Sequence, residues 1–208
     1  ETEELVGMAK KLLADNPSPF IVEIGTGTGA SAISCAKEIP GAQVLATDVS
    51  ADALALAREN ADANDLPDSA ESNLHFDLLE AVPNGAVFEN RSATLENGSA
   101  ALADKKIDCL VANLPYIPDD EKANLQPEVA NFDPALALFG GADGLDLVRK
   151  LLAQTENRMA AGAPILLEIG SEQGAMLEAE ASKYPWLEFT GSHKDYCGNI
   201  RFVSYKAR

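Results

Sequence analysis

Short apolar runs alternate with helix-patterned segments along most of the chain, and this alternation restricts the fold more than any other feature. Phe20-Ile21-Val22-Glu23-Ile24 is one such run, closed by glycine. Gln43 to Thr47 (ending in Asp48), Leu74-His75-Phe76 (ending in Asp77), Ile107 to Ala112 and Pro164 to Ile169 repeat the pattern. Short runs bounded by turn residues are expected of strands buried on both faces. Helical patterns lie between them: Ala30 to Glu38, then Ser50 as a cap with a helix to about Asn64, and Glu172 to Lys183. Leu145, Val148, Leu151, Leu152 and Met159 mark another helix, and residues 3–14 form one that Asn16-Pro17-Ser18-Pro19 stops. Leu187 to Thr190 and Ile200 to Tyr205 close the chain with no helix between them, which predicts an antiparallel pair at the edge. The expected fold is α/β and Rossmann-like: an open, mostly parallel sheet of about seven strands with helices on both faces and an antiparallel edge strand. Residues 78–106 carry few patterns and read as an elaborated connection with a short helix near Ser99 to Asp104. No linker or repeat divides the chain, so residues 1–208 are expected to form a single domain.

Charge narrows the partners. Sixteen basic and 33 acidic side chains give a formal net charge of −17, and no basic run appears. Proteins that grip nucleic acid gain affinity by neutralising phosphates, so a large duplex substrate is disfavoured. No apolar run approaches the ~18 residues of a membrane span. The acidic start, Glu1 to Glu4, lacks the pattern of a secretion signal. Cys35, Cys109 and Cys197 are spaced too widely for a disulfide framework or a zinc site, so no metal is expected and a reducing cytoplasm is the natural compartment.

The first strand delivers Gly25-Thr26-Gly27-Thr28-Gly29 and then a helix. Glycines there let the backbone approach a ligand closely, and the helix N-terminus adds free N–H groups. Asp48 ends the second strand 23 positions after Gly25 and is placed to accept hydrogen bonds from ribose hydroxyls. Gly25-x-Gly27-x-x-Ala30 also satisfies the looser dinucleotide fingerprint, which keeps a nicotinamide dehydrogenase open. Two details favour a ligand without pyrophosphate. Three glycines in five residues suit a ligand laid along the backbone, and Glu23 before the turn would repel phosphates but attract an amine or sulfonium. S-Adenosylmethionine has that chemistry, and Asp77 is placed to accept from its adenine amino group. A dehydrogenase would also need a hydride-transfer acid or base, and neither His75 nor His193 has such a setting.

Asn113-Leu114-Pro115-Tyr116 follows the fourth strand. The Asn113 side-chain oxygen and the Leu114 carbonyl together accept both hydrogens of one planar NH₂ group. An amide or aromatic amine is a poor nucleophile. Fixing its two N–H bonds holds the nitrogen ~3–3.5 Å from a methyl donor and favours the charge that develops on it. Pro115 stiffens the turn and Tyr116 covers the flat face of the acceptor.

With these motifs the chain resembles the HemK/PrmC family of glutamine methyltransferases, which modify the Gly-Gly-Gln loop of peptide-chain release factors. The resemblance runs through Glu1-Thr2-Glu3, Glu23 to Gly29, Asp48-x-Ser50-x-x-Ala53-Leu54 and Asn113 to Ile117. It continues in Gln126-Pro127-Glu128-Val129, Asp133-Pro134-x-x-Ala137-Leu138, Gly140-Gly141-x-Asp143-Gly144-Leu145-Asp146 and Leu167-Glu168-Ile169-Gly170. It implies a class I methyltransferase fold with S-adenosylmethionine as cofactor. It assigns Glu23, Gly25, Thr26, Gly27, Thr28, Gly29, Asp48, Val49, Asp77, Leu78 and Asn113 to that cofactor. Asn113, Leu114, Pro115 and Tyr116 fall to the acceptor glutamine, and a release factor is the implied protein partner.

The chain departs from the family pattern in three places. Leu114 stands where the family usually has the first proline of Asn-Pro-Pro-Tyr, and the connection from Asp77 to Asn113 is longer than usual. The family's N-terminal helical domain, which precedes Glu-Thr-Glu, is expected to be absent here. Two other acceptors remain compatible with the tetrapeptide: the amino group of adenine in DNA or RNA, and a glutamine of a ribosomal protein. The charge disfavours the first.

Overall fold

The computed structural model describes residues 2–67, 72–78, 105–124 and 137–208. Among them one sheet contains β1 (Phe20–Ile24), β2 (Gln43–Asp48), β3 (Leu74–Leu78), β4 (Cys109–Asn113), β5 (Pro164–Glu168), β6 (Leu187–Lys194) and β7 (Ile200–Ala207). The spatial order is β3-β2-β1-β4-β5-β7-β6. β1 to β5 pair in parallel, and β7 runs antiparallel to both β5 and β6.

The apolar runs are explained by double coverage. Ile21 of β1 packs with Leu5, Ile33 and Leu54, which come from α1 (Thr2–Leu12), α2 (Ala30–Glu38) and α3 (Ala51–Ala63). Its neighbour Val22 packs on the opposite side with Val148 and Leu177, from α4 (Asp146–Gln154) and α5 (Gln173–Glu180). The sheet is therefore clad on both faces, as its composition requires. The chain steps outward from β1 through β2 to β3, returns to β4 beside β1, and then builds outward the other way. That reversal opens a crevice at the carboxyl ends of β1 and β4, where open α/β sheets take their ligands.

Several boundaries differ from those read in the sequence. β4 begins at Cys109, because Ile107 is drawn into an isolated bridge with Met159 and the Asp108 carboxylate accepts from the Phe20 N–H at 2.8 Å. Met159 is thus not on α4. The Thr155 hydroxyl donates to the Leu152 carbonyl at 2.7 Å, and Asn157 turns left-handed at φ 62°, which ends the helix. α5 stops at Glu180 and continues as a 3₁₀ turn over Ala181–Lys183. β6 runs to Lys194, four residues beyond the apolar stretch. Its second half is polar yet still pairs with β7, with a register shift between Phe189 and Gly191. The expected short helix near Ser99 to Asp104, and Gln126 to Pro134, lie outside the described residues.

Candidate functional site

Gly25, Gly27 and Gly29 all adopt left-handed backbone, at φ 76°, 54° and 81°. Each serves a different need. A Cβ at Gly29 would stand 3.0 Å from Ala57 Cβ, so this glycine lets α2 start against α3. A Cβ at Gly25 would stand 3.2 Å from Leu114 Cδ2 and 3.6 Å from the Asn113 carbonyl oxygen, so here the loop meets the turn after β4. A Cβ at Gly27 would have nothing within 4 Å among the described residues, so its backbone faces open space.

The loop is tied to β2. The N–H groups of Gly25 and Thr26 both donate to the Thr47 carbonyl at 2.9 Å, and the Thr47 hydroxyl donates to the Glu23 carbonyl at 2.8 Å. Asp48 is 9% exposed. One of its oxygens accepts from the Gly27 N–H and the other from the Ser50 N–H, each at 2.9 Å. A carboxylate offers about four lone-pair sites, so each oxygen keeps capacity for a hydroxyl. Val49 beside it is 44% exposed, an apolar surface at the rim. Thr28 is exposed, and its carbonyl accepts from the Asn60 side chain at 2.9 Å. Asp77 is half-buried near the end of β3 and pairs in register with Thr47. Leu78 pairs with Asp48, and its side chain lies outside the described residues.

Glu23 is turned inward. Its carboxylate accepts from the Thr26 hydroxyl, the Ser31 hydroxyl and the Ala32 N–H beneath the loop. Burial pushes its pKa up from 4.5 to about 7, with the negative Asp48 adding to the rise and the three donors opposing it. The sequence expectation of a cation near Glu23 becomes one of action through the loop.

The Asn113 turn sits across the crevice. Asn113 ends β4, is exposed, and pairs in register with Glu168 of β5. Leu114 packs against the core face shared with α4 and α5. Pro115 and Tyr116 lie against the loop 138–146. The Ile117 N–H donates to the Leu138 carbonyl, and the Gly140 N–H to the Ile117 carbonyl, both at 3.0 Å. This approach demands glycine. A Cβ at Gly140 would come within 2.4 Å of the Pro115 carbonyl oxygen, and one at Gly144 within 1.9 Å of the Tyr116 carbonyl oxygen. The Arg201 guanidinium lies 5.9 Å from the Tyr116 ring centre. Arg149 clamps the loop from outside through Asp143 at 2.8 and 2.6 Å and Glu180 at 2.9 and 2.8 Å, which holds both carboxyls below their usual range.

The glycine loop, Asp48 and Asn113 to Tyr116 thus meet at the carboxyl ends of the strands, with Glu23 buried beneath the loop and Asp77 two strands away. Sequence reasoning missed Gln173, Arg201 and the close-packing roles of Gly140 and Gly144. A glutamine just after the β5 turn, at the same edge of the sheet as Asn113, was the available signal for Gln173.

Comparison with known proteins places the chain among methyltransferases. A family model described as a methyltransferase domain matches residues 21–92. The chain is 35% identical over 203 residues to the release factor glutamine methyltransferase of Deinococcus radiodurans, covering 98% of this chain and 63% of that protein. It is 34% identical over 211 residues to the release factor glutamine methyltransferase of Lactococcus lactis subsp. lactis, covering 99% and 67%. Among solved structures, a ribosomal protein L11 methylase from Lactobacillus delbrueckii subsp. bulgaricus superposes with a TM-score of 0.60 at 16% identity, over all of this chain and 78% of that one, a likeness of fold. The chain spans 63% and 67% of the length of the two curated relatives. By sequence, it belongs to the family of release factor glutamine methyltransferases.

Proposed function

We propose that this chain transfers a methyl group from S-adenosylmethionine to the side-chain amide nitrogen of a protein glutamine, that of the Gly-Gly-Gln loop of a peptide-chain release factor. We read residues 1–208 as one methyltransferase domain acting in the cytoplasm. The observation that carries the reading is the meeting of two motifs at the switch point of the sheet. A Cβ on Gly25 would touch both Leu114 and the Asn113 carbonyl oxygen.

The cofactor would rest on Gly25 to Gly29, with its ribose on Asp48 and its adenine between Val49 and the Asp77–Leu78 end of β3. The open side of Gly27 and the remaining lone pairs of Asp48 fit such a group. When bound, it supplies an electrophilic methyl carbon on a sulfonium. A cation over the loop favours the ionised form of Glu23, whose buried carboxyl is otherwise half protonated near neutrality.

Asn113 Oδ1 and the Leu114 carbonyl each accept one N–H of the acceptor amide. Held in this way, the amide nitrogen would present its lone pair to the methyl carbon that the bound cofactor supplies, and the cofactor's sulfur would keep the C–S electron pair as a thioether. The nitrogen, acidified by alkylation, then loses one proton to water, so no strong base is required. Tyr116 closes over the amide plane and excludes solvent.

Incubation with labelled cofactor and, separately, a release factor and duplex DNA tests the reading. Mass spectrometry is expected to place one methyl group, 14 mass units, on the glutamine of Gly-Gly-Gln. Label in DNA alone would contradict it.

A further inference from the structure

We propose that Gln173 is the positioning residue of the acceptor side: its single amide fastens the Asn113–Tyr116 turn, the Gly140–Asp146 loop and the β5–α5 turn into one unit. The proposal rests on the function read above and adds the group that sets the acceptor site's geometry.

Gln173 is 5% exposed, so its amide must find its partners inside the protein. Its Nε2 donates to the Tyr116 carbonyl at 2.8 Å and to the Asp143 carbonyl at 3.1 Å, and its Oε1 accepts from the Gly170 N–H at 2.8 Å. Both donor hydrogens are thereby engaged, across sequence separations of 57 and 30 residues. The surrounding backbone is shaped to admit this one group. A Cβ at Gly144 would fall 2.5 Å from Gln173 Nε2, and one at Gly170 would fall 3.3 Å from its Cδ.

The residue type follows from the slot. Two carbonyls require two donors on one atom, and a backbone N–H requires an acceptor two bonds away; a primary amide meets both demands. Glutamate turns an oxygen toward two carbonyls, and leucine leaves all three groups unpaired. Asp143 is gripped twice, by Gln173 on its carbonyl and by Arg149 on its carboxylate. Tyr116 is held by the same amide and flanked by Arg201. Motion of the turn would therefore displace Asn113 relative to Gly25.

Gln173→Glu and Gln173→Leu test the proposal. In both, acceptor kcat is expected to fall about 10- to 100-fold, with cofactor affinity measured by calorimetry within about twofold of the unsubstituted chain. Gln173→Glu has a signature that a bulk structural role lacks. Its activity relative to the unsubstituted chain rises about fivefold from about pH 8 to about pH 6, because a protonated carboxyl regains one donor for the Tyr116 carbonyl. In Gln173→Leu, amide hydrogen exchange is expected to accelerate in residues 113–117 and 140–146 while residues 25–29 keep their protection. That last readout needs no acceptor, so it stands even if the release factor proves the wrong substrate. A flat pH ratio, exchange that accelerates equally in the glycine loop, or loss of turnover and cofactor affinity in proportion would overturn the proposal.

Discussion

The two sides of the crevice are built by different means. The glycine loop is held by the two neighbouring parallel strands β1 and β2: the Gly25 and Thr26 N–H groups donate to the Thr47 carbonyl, and the Gly27 N–H to the Asp48 carboxylate 21 residues away. The Asn113–Tyr116 turn is held by a loop at a similar separation and also by one glutamine amide 57 residues away. The first side is a local consequence of β1-loop-α2 geometry. The second exists only when three distant segments have come together. Substitutions should therefore separate the two sides, and the separation can be tested.

The largest effect is expected at Gly144. A Cβ there collides with the Tyr116 carbonyl oxygen and meets an unfavourable φ of 76°. Gly144→Ala should cost more than about 3 kcal/mol in chemical denaturation and abolish methyl transfer. Gly27→Ala, at φ 54° with nothing within 4 Å of its Cβ among the described residues, should cost only about 1–2 kcal/mol, with its main effect on cofactor affinity. Equal destabilisation by the two would erase the distinction.

Next comes a pair of opposite phenotypes. Asn113→Ala should lower kcat about 100-fold with cofactor affinity within about twofold, since Asn113 is exposed at the strand tip. Asp48→Ala should instead weaken cofactor binding about tenfold or more, and it also leaves the Gly27 and Ser50 N–H groups without their acceptor. Calorimetry with steady-state kinetics distinguishes them; matching losses in both variants would mean that the crevice acts as one undivided pocket.

Glu23 gives a pH-dependent contrast. Its folded pKa, about 7, lies above its ordinary 4.5, so the folded state holds the proton more tightly. Its contribution is most favourable below pH 4.5 and declines as pH rises to about 7, by about 3 kcal/mol at most. Glu23→Gln should flatten that decline in denaturation midpoints measured from about pH 5 to about pH 8. An unchanged slope would mean that the carboxylate stays ionised beneath the loop.

The smallest effect is expected at the outer clamp. Arg149 lowers the carboxyl pKa values of Asp143 and Glu180, so this stability is present above their ordinary values of 3.8 and 4.5 and is lost as pH falls below them. The pairs are partly exposed, with Arg149 and Asp143 side chains 27% and 35% accessible, so Arg149→Met should cost about 1 kcal/mol at neutral pH and less under acid. A cost that grows on acidification would contradict this sign.

The same contrast explains what could be read from the chain alone. Strand β1, its glycine turn and Asp48 are legible because each depends on residue type and nearby spacing. Ser50 is legible as a cap for the same reason, and its hydroxyl accepts from the Ala53 N–H at 3.2 Å. Asn113 is legible as chemistry, but its support is not. Nothing near Gln173 in sequence announces that Tyr116 and Asp143 will bring it two carbonyls, and Gly140 and Gly144 look like ordinary turn glycines until Pro115 and Tyr116 press against them. Met159 fits the helical spacing of α4, yet it belongs to a bridge with Ile107 that only the folded sheet creates. The length of β6 was hidden by its polar second half, which pairs through backbone groups.

The most direct measurement is a crystal structure with S-adenosylhomocysteine and a Gly-Gly-Gln peptide bound. The expected result is the glutamine amide nitrogen within about 3.5 Å of Asn113 Oδ1 and the Leu114 carbonyl oxygen, with its free face toward the sulfur above Gly25 to Gly29. A peptide bound elsewhere, or a glutamine amide directed away from those two oxygens, would contradict it.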